Sequence, residues 1–219
     1  MNKGIKGVLY DVRFFLIPYA LILAACLFIK LNFTKEEIYF AVNTRHSDWQ
    51  DTIMPYVTDI GNGWTTVILL AIMLIFSYRK AFLLASAYAL TSLSVQGVKF
   101  IFDAPRPKLY FANHLKGIYF VKGVDQLSFH SFPSGHTVTA FSTSMVILYF
   151  LKNKKWGFLL LIVACCVGYS RAYLSQHFFE DVTVGSMFGF ILTLIWIYWI
   201  DTKKFLHTKG WNEGLINFL

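Results

Sequence analysis

Apolar residues in this chain gather into long blocks parted by short polar breaks, with no sustained alternation at a strand period. An α-helix needs about 20 apolar residues to cross a bilayer, and the bilayer interior admits only helices or closed barrels because no water is there to satisfy free backbone groups. Six blocks stand out, at about 14–31, 64–79, 81–102, 134–151, 156–171 and 182–200. The predicted fold class is all-α, a six-transmembrane-helix bundle, and the length is accounted for by a single integral membrane domain over 1–219. The first block follows Lys3, Lys6 and Arg13 and looks like a signal sequence, with Leu23-Ala24-Ala25-Cys26 in the form of a lipoprotein processing site. The apolar run continues past that cysteine, so an uncleaved first span is expected.

The breaks predict the connections. Residues 33–63 are mixed, carry Glu36, Glu37, Asp48, Asp51 and Asp59, and end in the turn signal Gly61-Asn62-Gly63. They are expected to form an external connection with short helices along the interface. Arg79-Lys80 predicts a tight turn, and residues 103–133, with Pro105, Pro107 and Pro133, predict a loop. The fourth block is rich in Ser134, Gly135, Ala140, Ser142 and Ser144, small residues that favour close helix packing. Trp196, Tyr198 and Trp199 give the sixth an interfacial belt.

Composition agrees with the pattern: 56% of residues are hydrophobic and 15% charged, against about 25% charged in a soluble domain. The net charge of +8 raises the question of nucleic acid, but the bases form no binding stripe. They fall at the ends of apolar blocks, as topology requires, and exclude a nucleic-acid partner. Six spans put both termini on one side, together with Arg79-Lys80, Lys152, Lys154, Lys155, Lys203, Lys204 and Lys209. The positive-inside rule makes that side cytoplasmic. Residues 30–63, 99–136 and 170–181 then share the extracytoplasmic face. Cys26, Cys165 and Cys166 lie inside apolar runs and read as small hydrophobes, with neither disulfide nor zinc spacing.

Three polar clusters reach that face, where a charge within the bilayer costs roughly 2.5–3.5 kcal/mol and marks function. Lys99 and Arg106-Pro107 close the third block; taken alone, Lys99 could be a lysine snorkelling from a helix end. Pro133-Ser134-Gly135-His136 opens the fourth block, with Ser134 as N-cap, Gly135 admitting a close ligand, and free N–H groups that attract anions. It could equally be an ordinary helix-entry turn. Ser170-Arg171 through His177 to Asp181 lies between the fifth and sixth blocks; if helical from about His177, Asp181 shares its face one turn on. It could also be an ordinary polar loop between spans.

Together, Lys99, Arg106 and Arg171 with a helix N-terminus suit a phosphate, since guanidinium forks bind it bidentately and an ammonium acts as a point charge. His177, held by Asp181, could attack phosphorus while His136 protonates the departing oxygen, and water would then release phosphate. A zinc hydrolase built on His130, His136, His177 and Asp181 leaves the three cations unexplained, because they would repel a metal. A lipid-phosphate binding or transport protein could use the same pocket, but binding alone requires neither a nucleophile nor an acid. His46, His114 and His207 read as loop or interfacial residues. Tyr110, Phe111, Tyr119 and Phe120 could contact lipid tails, but read rather as interfacial anchors.

Lys-x6-Arg-Pro (99–107), Pro-Ser-Gly-His (133–136) and Ser-Arg-x5-His-x3-Asp (170–181) resemble the three signature motifs of the type 2 phosphatidic acid phosphatase (PAP2) family. That membrane family shares its catalytic core with vanadium haloperoxidases and glucose-6-phosphatase. All three motifs match in order, and the resemblance covers about residues 58–200. It implies a six-helix bundle of the PAP2/haloperoxidase type and a lipid phosphatase needing neither metal nor other cofactor. It further implies a phosphohistidine at His177, Asp181 as its orienter and His136 as the acid. Lys99, Arg106, Ser134, Gly135 and Arg171 would be phosphate ligands. Within the family the candidate substrates are phosphatidic acid, phosphatidylglycerophosphate, undecaprenyl diphosphate and lipid A, and the expected location is a bacterial inner membrane. Residues 30–57 carry no transferable signature, and oligomeric state is not legible.

Overall fold

The computed structural model describes residues 4–218, apart from the side chains of 114–116 and 218; Lys3 and the His114 side chain lie outside the described residues. Among the described residues the secondary structure is entirely helical. In order the α-helices are α1 (Ile5–Asp11), α2 (Arg13–Asn32), α3 (Lys35–Asn43), α4 (Asp48–Asp59), α5 (Gly63–Phe76), α6 (Tyr78–Phe102), α7 (Pro107–Tyr110), α8 (Gly135–Phe150), α9 (Trp156–Tyr173), α10 (Phe179–Ile200) and α11 (Lys209–Asn212).

The membrane blocks become helices, but not with one uniform length. Four helical stretches, at Arg13–Asn32, Tyr78–Tyr110, Trp156–Tyr173 and Phe179–Ile200, are long and apolar enough to cross a bilayer. A fifth arises if α4 and α5, bent by 51° at their junction, count as one broken span. The fourth block gives α8, whose 16 residues rise about 24 Å, short of the roughly 30 Å hydrocarbon core. Length therefore does not bear out the full count of six. What distinguishes α8 is enclosure: eleven of its 16 residues are buried, among them Thr137, Thr139, Ser142 and Ser144. A helix surrounded by other helices can carry hydroxyls because they bond to protein rather than face lipid; Thr193 donates to Ser142 at 2.7 Å.

α10 packs closest on α8, through Gly185 and Gly189, one turn apart as in a small-xxx-small interface. A methyl group on Gly189 would come within 2.5 Å of the Val138 carbonyl oxygen, and one on Gly185 within 2.8 Å of that of Ser134. α2 joins the core mainly through Phe15 and Tyr19. Phe15 stacks on Phe190 with centroids 6.0 Å apart, and Tyr19 shares a 2.9 Å hydrogen bond with Ser186.

Two sequence expectations need correction. Arg79-Lys80 does not form a turn; the break is at Ser77, which precedes α6, and Arg79 lies in that helix's first turn, paired with Asp201 at 2.5 Å. Residues 33–63 are more than a connection along the interface. Thr34 and Glu37 form a capping box that starts α3, which buries Ile38, Tyr39 and Asn43, and α4 packs against α9.

The helix ends form two poles. At one, Asp201 holds Arg79 and accepts from Tyr149 at 2.5 Å, and Lys154 lies 3.9 Å from Asp11. At the other, the end of α6, the starts of α8 and α10 and the end of α9 meet beneath α3 and the 103–133 connection.

Candidate active site

The second pole is tied together by backbone bonds before any functional side chain is considered. Arg106 N–H donates to the Ser128 carbonyl at 2.8 Å and Ser131 N–H to that of Ala104 at 2.9 Å, so both arms of the 103–133 connection run side by side. Ser134 N–H donates to the Asp181 carbonyl at 3.0 Å, which docks the start of α8 on the first turn of α10. Gly61, read as a turn residue, also serves close approach: a methyl group there would fall 2.6 Å from the His136 carbonyl oxygen.

The carboxylate of Asp181 is buried and well used. Its Oδ2 accepts from the Ser131 hydroxyl at 2.5 Å and from Phe178 N–H at 2.8 Å, and lies 3.5 Å from His177 Nδ1. The sequence expectation was a shared helix face, but α10 begins only at Phe179, so His177 stands before the helix in the corner that follows α9. The pair meets because that corner folds back. At 3.5 Å, Nδ1 makes no full hydrogen bond and is one of the buried polar atoms left without a partner. Such a contact can shorten once the other ring nitrogen is engaged. His177 is 1% exposed. Burial, then the charges of Arg171, Arg106 and Lys99 together with His136, push it well below the usual imidazole range. A neutral ring is a competent nucleophile; a protonated one is not.

The cations converge on the same place. Lys99, in the last turn of α6, donates to the His130 carbonyl at 2.9 Å. Arg106 donates through Nε to the Phe129 carbonyl at 2.9 Å and through Nη1 to both the main-chain and side-chain oxygens of Gln176 at 3.1 Å. Arg171, in the last turn of α9, donates to Thr58 at 2.9 Å, while its Nε is buried without a partner. Burying a guanidinium with an unpaired N–H is costly unless an anion completes it.

Ser134 occupies the N-cap position of α8 but makes no side-chain cap; its oxygen instead accepts from Thr137 at 2.9 Å. The first N–H groups of α8 are thus not capped by that side chain, and a methyl group on Gly135 would meet only open space. This is the arrangement of a helix N-terminus open to an anion. His136 follows in the same turn and is partly exposed.

The structure brings His177, His136, Asp181, Lys99, Arg106, Ser134, Gly135 and Arg171 to one pole. It does not add His130, which pairs with Asp103 at 3.1 Å, and among the described residues no group of three His, Cys, Asp or Glu has metal-ligand spacing. Phe111 is no surface anchor: it is buried with Tyr39 and Phe178. Tyr110 bonds to Glu36, and Tyr119 bonds to Asp51 and stacks on His46 at 3.7 Å. Residues that sequence reasoning passed over are Ser131 and Thr58, hydroxyls in stretches without pattern, and Gln176, a position that the third motif leaves unspecified.

A 79-residue stretch, 36% of this chain, is 39% identical to a Bacillus licheniformis protein named bacitracin transport permease protein BcrC, covering 37% of that protein. The undecaprenyl-diphosphatase BcrC of Bacillus subtilis is 28% identical over 173 residues, 77% of this chain and 85% of that protein. The crystal structure of a PAP2-type phosphatidylglycerolphosphate phosphatase from Bacillus subtilis superposes with a TM-score of 0.66 at 29% identity, over 90% of this chain and 99% of that one. The PAP2 superfamily pattern matches residues 80–205, a stretch that contains all three motifs and the eight residues from Lys99 to Asp181 that the sequence picks out. This chain therefore belongs to the PAP2 superfamily.

Proposed function

We propose that this chain, a hydrolase of the lipid phosphatase class, removes the terminal phosphate of a lipid phosphate or diphosphate through a phosphohistidine at His177. The observation that carries this reading is the convergence of a buried neutral imidazole, a second imidazole and three cations around an uncapped helix start. His177 Nδ1 faces Asp181, so Nε2 is the nitrogen left to attack phosphorus. As the N–P bond forms, the P–O bond to the lipid breaks, and His136, which carries a proton once the substrate's phosphate offsets the three cations around it, gives that proton to the departing oxygen. His136, then neutral, takes a proton from water as that water attacks the phosphohistidine; phosphate leaves and both imidazoles return to their starting states. Lys99, Arg106, Arg171 and the N–H groups after Ser134 hold the three equatorial oxygens, whose charge is spread in the transition state.

The catalytic core spans about 58–200 of a single domain over 1–219. α8, short but enclosed, and α5, continued by the bend into α4, complete six crossing helices. Arg79, Lys154 and the bases near them lie at the pole opposite the site, so the positive-inside rule puts both termini in the cytoplasm and the site at the extracytoplasmic face of a bacterial inner membrane. The transport name carried by one relative favours a second reading, in which the pocket binds a lipid phosphate without hydrolysing it. Phosphate release by the purified protein from phosphatidic acid, phosphatidylglycerophosphate, undecaprenyl diphosphate and lipid A separates the two. Release from at least one lipid, lost in His177→Ala, is expected. Binding without release by the unaltered protein would favour the second reading.

A further inference from the structure

The corner joining α9 to α10 is built by residues that none of the three motifs specifies. α9 ends in a Schellman arrangement, with Ser175 N–H donating to the Ala172 carbonyl at 3.1 Å and Gln176 N–H to that of Arg171 at 3.0 Å. The left-handed position of this motif usually holds glycine; here it holds Ser175, at φ 55°. A side chain in that conformation persists only where its surroundings hold it. They do: the Ser175 oxygen accepts from Tyr39 Oη and from Asn43 Nδ2, each at 3.0 Å. Asn43 also donates to the Tyr119 carbonyl at 2.8 Å and accepts from Tyr119 N–H at 3.0 Å. Thus α3, from the stretch that carries no signature, clamps the corner against the 103–133 connection.

The next residue, Gln176, is 3% exposed. Its Oε1 accepts from Arg106 Nη1 at 3.1 Å and lies 3.5 Å from Arg171 Nη2, while its Nε2 donates to the Asp125 carbonyl at 2.8 Å and to Gln126 Oε1 at 3.0 Å. One amide oxygen therefore stands between two guanidinium groups and is itself fixed from behind. The chemistry of that choice is specific. An apolar side chain would leave two like charges without an acceptor between them, free to turn apart. A carboxylate would hold them but cancel charge that a phosphoryl group requires.

We propose that Gln176 is a positioning residue for phosphate transfer, setting the spacing of the Arg106 and Arg171 forks, and that Asn43 locks it in place through Ser175. This rests on the reading of both arginines as phosphate ligands. The test compares unaltered enzyme with Gln176→Met, Gln176→Glu, Ser175→Gly and Asn43→Ala, purified in full length. It reads kcat, KM for a lipid phosphate, the inhibition constant of vanadate as a phosphate mimic, and Tm. Gln176→Met should lower kcat and weaken vanadate in step, each by about 10- to 100-fold, the range for loss of a hydrogen bond to a charged group. KM should move less. Ser175→Gly keeps the backbone that glycine favours but removes the hydroxyl clamp; kcat should fall several-fold with Tm retained.

Because an inhibition constant does not depend on how much enzyme is folded, unchanged vanadate affinity in Gln176→Met and Gln176→Glu would overturn the proposal, whatever the change in Tm. If Gln176→Met does not fold, Gln176→Glu and Asn43→Ala decide by the same readout. His177→Ala is the control that separates the two levels: a live His177→Ala sinks the phosphohistidine reading itself. A dead His177→Ala beside normal vanadate affinity at Gln176 sinks only this inference.

Discussion

Gly185→Ala tests whether the backbone at Ser134 fixes the phosphate. The added methyl would lie 2.8 Å from the Ser134 carbonyl oxygen, 3.3 Å from Thr137 Cβ and 3.4 Å from Ser134 N. Ordinary contact begins at 3.4 Å, so α8 and α10 must separate by about 0.6 Å, and the closest atom is backbone, which cannot swing away. Overpacking of this kind costs about 1–3 kcal/mol. Misplacing a positioning group by 1 Å can cost about 100-fold in rate, so a shift near half that predicts a kcat loss of roughly 10-fold. Gly189→Ala is the matched control: its methyl meets the Val138 carbonyl oxygen at 2.5 Å in the same helix interface, one turn away from the site. The assay is phosphate release per folded enzyme, with Tm measured in the same detergent. Both variants should lose Tm, and Gly185→Ala should lose far more kcat. Equal kcat in the two variants would refute the idea that the α8–α10 contact positions the phosphate.

Three further outcomes are expected. His177 stays neutral when folded but titrates near the usual imidazole value when unfolded, so below about pH 6.5 the unfolded chain binds a proton that the folded one does not. Its contribution to stability is full above that pH and lost as pH falls, and Tm should fall less steeply between pH 7 and pH 5 in His177→Gln. Asp201→Asn removes the carboxylate shared by Arg79 and Tyr149 and leaves a half-buried guanidinium uncompensated; a loss of about 1–3 kcal/mol in stability is expected, with kcat of the folded fraction unchanged. Activity should survive exhaustive chelation with EDTA, since the proposed chemistry runs through imidazoles and cations; loss restored by zinc would return the zinc reading.

The sequence made the chemistry legible because charge in an apolar chain is scarce: Lys99, Arg106, His136, Arg171, His177 and Asp181 stood out by their cost, and structure brings all of them to one pole. It made the helices legible for the same reason, but not their roles. α8 reads as one more span because hydropathy cannot tell enclosure from exposure to lipid. The break at Ser77 was hidden by Arg79-Lys80, whose charge suggested a turn where Asp201, over a hundred residues away, supplies a partner within the helix. The meeting of His177 with Asp181 was expected from helical spacing and arises instead from a corner held by Ser175. Asn43, Thr58, Ser131 and Gln176 were illegible because single polar residues gain meaning only from partners distant in sequence.

The most direct measurement is a rapid-quench reaction of the purified enzyme with a lipid whose terminal phosphate carries a radioactive label. Transient, acid-labile label on the peptide containing His177, formed and discharged at rates that account for turnover and absent from His177→Ala, is the expected result. Steady phosphate release with no labelled protein at any time, or label that persists in His177→Ala, would contradict a phosphohistidine at this residue.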